Sequence, residues 1–162
     1  MNILITGNLG HIGSLLVKKI PQIKKIKNIY LIDNARSNNI NTLFNYKFKN
    51  IKTYFIHGNI LDKNTLKKIK APINVVIHLA SITNAAESFK IKNLIFNNNF
   101  GIFKKIVLFC IKKKAKLIHL SSTSVYGSSS SLVKEDCKLL KPLSPYANIK
   151  LMEENYLKKN KN

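Results

Sequence analysis

Short apolar runs alternate along the chain with longer segments in which apolar residues return every three or four positions. The runs at 2–6, 29–32, 53–56, 75–79 and 117–120 are predicted as strands. The segments 10–20, 98–113 and 145–159 are predicted as helices. In the first helix Ile12, Leu15, Leu16 and Ile20 share a face and are expected inward. In the second, Ile102, Phe103, Ile106, Val107 and Cys110 share one. Asp62 is expected to cap a short helix that buries Leu66 and Ile69. The strand at 75–79 is apolar except for His78, which reads as a satisfied core histidine that supports the site. Strands apolar on both faces and separated by helices call for an α/β fold, a parallel sheet covered on both sides. The chain has no internal repeat, and the serine run 128–131 reads as a loop.

Composition narrows the class. A chain of 162 residues that is 45% hydrophobic can bury a core, which excludes full disorder, and its length suits one domain. No apolar run reaches the roughly 20 residues of a membrane helix, so no membrane association is expected. Met1 leads directly into Ile3-Leu4-Ile5, which argues against a secretory signal. Cys110 and Cys137 lack metal-ligand spacing, so a reduced, cytoplasmic protein without a metal is expected. The net charge of +21 would attract polyanions. Yet lysine, isoleucine and asparagine together make up 71 of the 162 residues, and AT-rich codons inflate all three. The lysines come in twos and threes near predicted helix ends, without interleaved aromatic residues. Nucleic acid is therefore not the expected partner.

Chemistry enters where the first strand ends. Thr6-Gly7-Asn8-Leu9-Gly10-His11-Ile12-Gly13 runs straight into a helix. Gly7 suits the tight turn, Gly10 the approach of backbone amides to a pyrophosphate, and Gly13 close packing of helix on strand. The spacing is Gly-x-x-Gly-x-x-Gly. Asp33 follows Gly13 by 20 residues, at the end of the second strand. A carboxylate there accepts from both adenosine ribose hydroxyls and repels a 2′-phosphate, favouring NAD over NADP. Arg36 nearby weakens that exclusion, and Asp33-Asn34 also suits an ordinary turn.

Ser121-Ser122-Thr123-Ser124-Val125-Tyr126-Gly127 follows the fifth strand, and Ser144-Pro145-Tyr146-Ala147-Asn148-Ile149-Lys150 opens the last helix. Pro145 suits a first helical turn, and Tyr146 and Lys150, four apart, share a face. An ammonium beside a phenol lowers its pKa from about 10 toward neutrality. That pairing provides a general base for a sugar hydroxyl, while a serine hydroxyl orients the same oxygen. Lysine is so abundant that Tyr-x-x-x-Lys alone is a weak signal; the order of glycine loop, Asp33, serine strand and Tyr-Lys pair is the specific one.

In that order the sequence resembles the extended short-chain dehydrogenase/reductase superfamily, in its NAD-dependent epimerase/dehydratase branch, which acts on nucleotide sugars and includes UDP-glucose 4-epimerase. The resemblance runs from Asn2 to about Tyr156. It implies a Rossmann-like doubly wound sheet, NAD as cofactor and a nucleotide sugar as substrate. It places Gly7, Gly10, His11, Ile12, Gly13, Asp33 and Asn34 against the cofactor. In His57-Gly58-Asn59-Ile60-Leu61-Asp62, Asn59 stands where the family has the Asp that contacts adenine, with Ile60 beside it. Leu79, Ala80 and Ser81 lie along ribose and nicotinamide in the family. Asn98-Asn99-Phe100-Gly101 resembles Asn-Val-x-Gly, whose Asn, here Asn98, steadies the active-site backbone. The catalytic set becomes Ser122, Tyr146 and Lys150, with Tyr146 and Lys150 also on the cofactor and Ser122, Thr123 and Ser124 near substrate.

Sugar dehydratases carry Asp-Glu where Thr123 and Ser124 stand here, which disfavours dehydration and leaves epimerisation, decarboxylation or oxidation. Glu135-Asp136 also resembles a family feature, though loop charge explains it equally. Family members are about twice this length. The sheet is thus expected to stop after about five strands, with the substrate-binding region missing and residues 1–162 inactive on their own. The polar end 158–162 does not read as a domain. A homodimer through the helices at 98–113 and 145–159 is the assembly the family implies. Two alternatives remain: a non-catalytic NAD-binding module, and a polyanion- or RNA-binding derivative of the same fold.

Overall fold

The structure, a computed structural model, describes residues 1–23, 25–36, 40–45, 48–84, 86–128 and 132–160. Part of the serine run (129–131) and the last two residues lie outside these. The strands are β1 (Asn2–Thr6), β2 (Asn28–Asp33), β3 (Lys52–His57), β4 (Val75–His78) and β5 (Lys116–His119). The α-helices are α1 (His11–Lys19), α2 (Lys92–Lys113) and α3 (Pro145–Lys159). The strands form a parallel sheet in the order β3-β2-β1-β4-β5, the expected doubly wound arrangement. β1 is central: Ile3 pairs with Ile29 on one side and Val75 on the other. The strand order reverses there, so the carboxyl ends of β1 and β4 flank the crevice where such sheets bind ligands.

The chain divides into two compact units. The first, Met1–Ser81 with Ile102–His119, contains the sheet, α1 and the later part of α2. The second, Ile82–Gly101 with Leu120–Asn162, contains the start of α2, a 3₁₀ turn over Thr123–Tyr126, and α3.

Strand alternation divides the core of the first unit in two. Ile3 and Ile5 pack with Ile29, Leu31 and, from α1, Val17. Leu4 faces the other way, into a cluster with Ile32, Val76 and the α2 residues Ile102, Ile106, Phe109 and Cys110. Burial there pushes the Cys110 thiol up to about 11, so it packs as a small apolar group. The second unit has a smaller cluster of Ile95, Tyr146 and Ile149.

Four expectations change. The inward face of α1 is not Ile12 and Leu15, which are 62% and 60% exposed, but Gly13 and Val17, with Leu16 half-buried and Ile20 buried at the C-cap. Gly13 sets that rotation, because it is the residue that abuts the end of β1. Second, α2 begins six residues before the predicted 98. Asparagine-rich 93–99 is a poor helix former, but burial of Ile95 and Asn99 holds the early turns in the helix. Third, α2 is long and apolar enough to cross a membrane by length and composition, with a mean hydropathy of 1.4 over its most apolar stretch. Less than half of that stretch is buried: Ile95, Ile102, Phe103 and Ile106 are enclosed, while Leu94, Phe96, Leu108 and Ile111 are exposed. Fourth, Asp62 caps no helix: a 3₁₀ turn at Leu66–Lys68 follows Thr65, whose N–H meets the backbone carbonyl of Asp62 at 3.3 Å. Ile69 is buried as expected, Leu66 only partly.

Leu4→Ala should cost about 3 kcal/mol in urea unfolding, as for a fully enclosed leucine. Leu15→Ala should stay within about 0.5 kcal/mol. Equal costs would show the rotation of α1 to be wrong.

Candidate active site

In the first unit β1 ends at Thr6, whose hydroxyl lies 2.7 Å from Nδ1 of buried His78. The Leu79 N–H donates to the Thr6 carbonyl at 3.0 Å and the Ala80 N–H to the Thr6 hydroxyl at 3.4 Å. The chain after β4 is thereby held against the glycine turn. Gly7 has φ +75°, and a Cβ there would stand 2.6 Å from the Ala80 nitrogen. A Cβ on Gly13 would stand 2.1 Å from the Gly7 carbonyl oxygen. The fold itself excludes side chains at both. Gly10 differs: an added Cβ would meet only the Gly7 oxygen, at 3.4 Å. It forms the N-cap of α1, with no side-chain cap bond and no acid in the first turn, and His11 and Ile12 are exposed beside it. A nine-residue helix thus presents its positive end beside open space, an environment suited to a phosphate.

Half-buried Asp33 ties the loop to β2. Its Oδ2 accepts from the Leu9 N–H at 3.0 Å and its Oδ1 from the Ala35 N–H at 2.9 Å. Each oxygen keeps a further lone pair for a ribose hydroxyl. The turn character is present too: Asn34 Oδ1 accepts from the Arg36 N–H at 3.2 Å. Asn59 Oδ1 accepts from the Leu61 N–H at 2.9 Å, and Ile60 is buried. The Ser81 hydroxyl is screened from solvent without a hydrogen-bond partner among the described residues. A glycine-bounded cradle, a helix N-terminus, a carboxylate with lone pairs to spare and an unanswered hydroxyl together fit a dinucleotide.

In the second unit Ser144 caps α3, its Oγ accepting from the Ala147 N–H at 3.1 Å, and Pro145 occupies the first turn. Positions 146, 150 and 153 of α3 share a face. Tyr146 is 9% exposed, Lys150 5% and Glu153 1%. The Tyr146 N–H points to the Ser88 hydroxyl at 3.4 Å. The Ser122 side chain acts on the Tyr146 phenol in favour of the ionised form. Ser122 caps the turn at Thr123–Tyr126, its Oγ accepting from the Ser124 N–H at 3.2 Å and lying 2.8 Å from the Ser124 Oγ. Thr123 is exposed. Lys150 Nζ lies 5.9 Å from the Tyr146 ring centre and donates to the Leu120 carbonyl at 3.1 Å and to Glu153 Oε2 at 2.9 Å.

Glu153 was absent from the sequence-derived site, though a residue three positions after an inward lysine shares its face. It corrects one expectation. Lys150 does not bring Tyr146 toward neutrality; burial first, then the Glu153 charge, hold the phenol above its ordinary value, against the hydrogen bond from Ser122. A second shift concerns the asparagines. Asn99, 1% exposed, pins the backbone, accepting from the Ile82 N–H and donating to the Ile82 carbonyl, both at 2.9 Å. Asn98 instead donates to Asn99 Oδ1 at 3.1 Å. Glu135 and Asp136 are exposed.

Gly13→Ala should destabilise the protein by about 2 kcal/mol or more, because backbone must move, whereas Gly10→Ala should leave thermal unfolding nearly unchanged. Ser122→Ala should move the Tyr146 titration midpoint further up, read by NMR of tyrosine carbon-labelled at the phenol. The raised value favours the neutral phenol in the folded state. Its stabilisation is complete below the ordinary tyrosine value and is lost as pH climbs through the raised one.

The sequence model of the NAD dependent epimerase/dehydratase family matches residues 3–161. UDP-glucose 4-epimerase of Yersinia enterocolitica is 32% identical over 98% of this chain and 48% of its own length. The dTDP-D-glucose 4,6-dehydratase of Dictyostelium discoideum is 35% identical over 94% of this chain and 38% of its own. Among solved structures, UDP-glucuronic acid 4-epimerase from Bacillus cereus, in complex with UDP-4-deoxy-4-fluoro-glucuronic acid and NAD, superposes with a TM-score of 0.86. It is 32% identical and covers 99% of this chain and 53% of that one. The chain spans about half the length of the curated relatives it matches. With the match running from the first strand through the last helix, this chain belongs to the NAD-dependent epimerase/dehydratase family.

Proposed function

We propose that the chain provides the NAD-binding and proton-transfer parts of a nucleotide-sugar epimerase or dehydrogenase. In the first unit, Gly7, Gly10, His11, Ile12 and Gly13 would hold the pyrophosphate. Asp33 and Asn34 would hold the adenosine ribose, Asn59 and Ile60 the adenine, and Leu79, Ala80 and Ser81 the nicotinamide end. Bound NAD supplies reversible two-electron oxidation of a sugar carbon. In the second unit, Tyr146 takes the proton of the sugar hydroxyl at that carbon. Ser122 hydrogen-bonds the same oxygen, and Ser124 steadies Ser122. Lys150 has three N–H groups, of which two are used within the protein, leaving one for a ribose hydroxyl or the phenol. Thr123 and Ser124 offer no acid–base pair for eliminating water, which favours epimerisation, decarboxylation or oxidation over dehydration. A reduced, cytoplasmic setting is part of the same proposal, with Cys110 and Cys137 as free thiols.

The observation that carries this reading is the buried Tyr146 with the equally buried Lys150 one turn further along α3, its Nζ 5.9 Å from the ring centre. A non-catalytic NAD-binding module is the second reading, and the raised value of Tyr146 is what favours it.

Calorimetric titration separates the two cofactors. NAD should bind at least about tenfold more tightly than NADP, in line with a carboxylate facing a 2′-phosphate. Asp33→Ala should abolish that preference; a wild-type preference for NADP would overturn the Asp33 assignment. Residues 1–162 alone are expected to turn over no sugar nucleotide; joined to the C-terminal half of a family member, the Tyr146→Phe chain should keep its NAD affinity within about twofold and lose about 10²–10⁴-fold in turnover, the usual contribution of a general base. Unchanged turnover would remove Tyr146 from the mechanism and leave the binding module.

A further inference from the structure

We propose that Glu153 is a positioning residue for proton transfer: its carboxylate claims the Lys150 ammonium, so that Tyr146 shares its lysine with an acid. The proposal deepens the reading of Tyr146 as the base and rests on it.

The ion pair is enclosed. Lys150 Nζ and Glu153 Oε2 are 2.9 Å apart, and the two side chains are 6% and 2% exposed. Desolvation makes such a pair close and persistent, because neither charge has water to fall back on. Two fixed acceptors, the Leu120 carbonyl and the Glu153 carboxylate, set the direction of the remaining Lys150 N–H. A free ammonium beside a phenol acts as a whole positive charge. An ammonium bonded to a carboxylate acts as a dipole, whose field at the ring is much smaller. From α3, Lys150 and Glu153 bear on the phenol, and from the cap of the Thr123–Tyr126 turn comes the uncharged Ser122 hydroxyl. The neighbouring acid Glu154 is engaged elsewhere, with the Ser121 hydroxyl and with Lys158 at 3.7 Å. The direction found for Tyr146, above its ordinary value in spite of the nearby lysine, agrees with this arrangement. In catalysis the consequence is a phenol whose ionised fraction grows as pH rises, and one that any event releasing Lys150 from Glu153 would activate.

The test is a pH titration of the chain with tyrosine carbon-labelled at the phenol, Tyr146 being assigned by its loss in Tyr146→Phe. Glu153→Gln keeps a hydrogen-bond acceptor for Nζ but removes the charge. The Tyr146 midpoint should fall by about one unit or more, the size expected for a nearby charge. Glu153→Asp, which keeps the charge, should hold the midpoint well above that of Glu153→Gln. A midpoint unmoved in Glu153→Gln, or equally lowered in both variants, overturns the proposal. Should Glu153→Gln not fold, wild-type protein labelled at the glutamate carboxyl carbon gives the answer. The proposal stands if Glu153 is charged at neutral pH and falls if it is neutral. The titration needs neither cofactor nor sugar. A shifted midpoint with no change in turnover for Tyr146→Phe, measured in the chain joined to the C-terminal half of a family member, would leave the ion pair standing while the assigned reaction fell.

Discussion

Nothing can project from residues 7 and 13, and much of the first unit follows from that. With Gly13 pressed on the Gly7 carbonyl, α1 can start directly after β1 and has only one rotation open to it. That rotation delivers Val17 to the cluster with Ile3 and Ile5, and leaves Ile12 and Leu15 outside. With no side chain on Gly7, residues 79 and 80 close over the turn and bond to Thr6. Asp33 secures the loop from the other neighbouring strand through the Leu9 N–H. The same contacts that make the turn rigid leave Gly10 facing open space. Three glycines that look alike in sequence therefore differ: packing requires two of them and does not require the third.

The second unit has a different source of definition. Its buried apolar cluster is small, and the side chains that line one face of α3 are a phenol, an ammonium and a carboxylate. Burying such groups costs free energy unless each meets a partner. Glu153 and the Leu120 carbonyl answer Lys150. Asn99 meets both backbone groups of Ile82. A network of this kind fixes directions more strictly than apolar packing does, because a hydrogen bond fails at angles a methyl contact tolerates. It also makes the chemistry interdependent: the state of Tyr146 depends on what Lys150 is bonded to.

What could be read without coordinates follows from the range of the forces involved. Strands of four to six residues and their parallel pairing are legible because a two-sided strand must be apolar throughout, as at residues 75–77. The glycine loop is legible because only glycine meets its steric demands. The face of α1 was not, since the periodic pattern of Ile12, Leu15, Leu16 and Ile20 competes with one tertiary contact at Gly13 that no local pattern records. The start of α2 was not, since asparagine's weak helix propensity is overridden by the burial of Ile95. Glu153 was the costliest omission. An acid on a helix ordinarily reads as solvated, and only once Lys150 is placed inward does the residue three positions on become its partner.

The +21 charge bears on that last point. Where lysine is one residue in six, a lysine four positions after a tyrosine means little. Position in the fold separates them. Pairs such as Lys18-Lys19, Lys112-Lys113 and Lys158-Lys159 close the last turns of α1, α2 and α3, where the helix dipole favours cations. Lys105 and Lys113 extend along the surface to the backbone carbonyls of Leu61, Lys70 and Ala71. Among the described residues Lys150 is the one lysine that is buried. A genome-wide drift toward lysine can decorate any exposed position at little cost, but it cannot place an ammonium out of water unless a carboxylate is placed with it. The pairing of Lys150 with Glu153 is therefore evidence about Lys150 itself, since an exposed lysine needs no carboxylate beside it and this buried one has one.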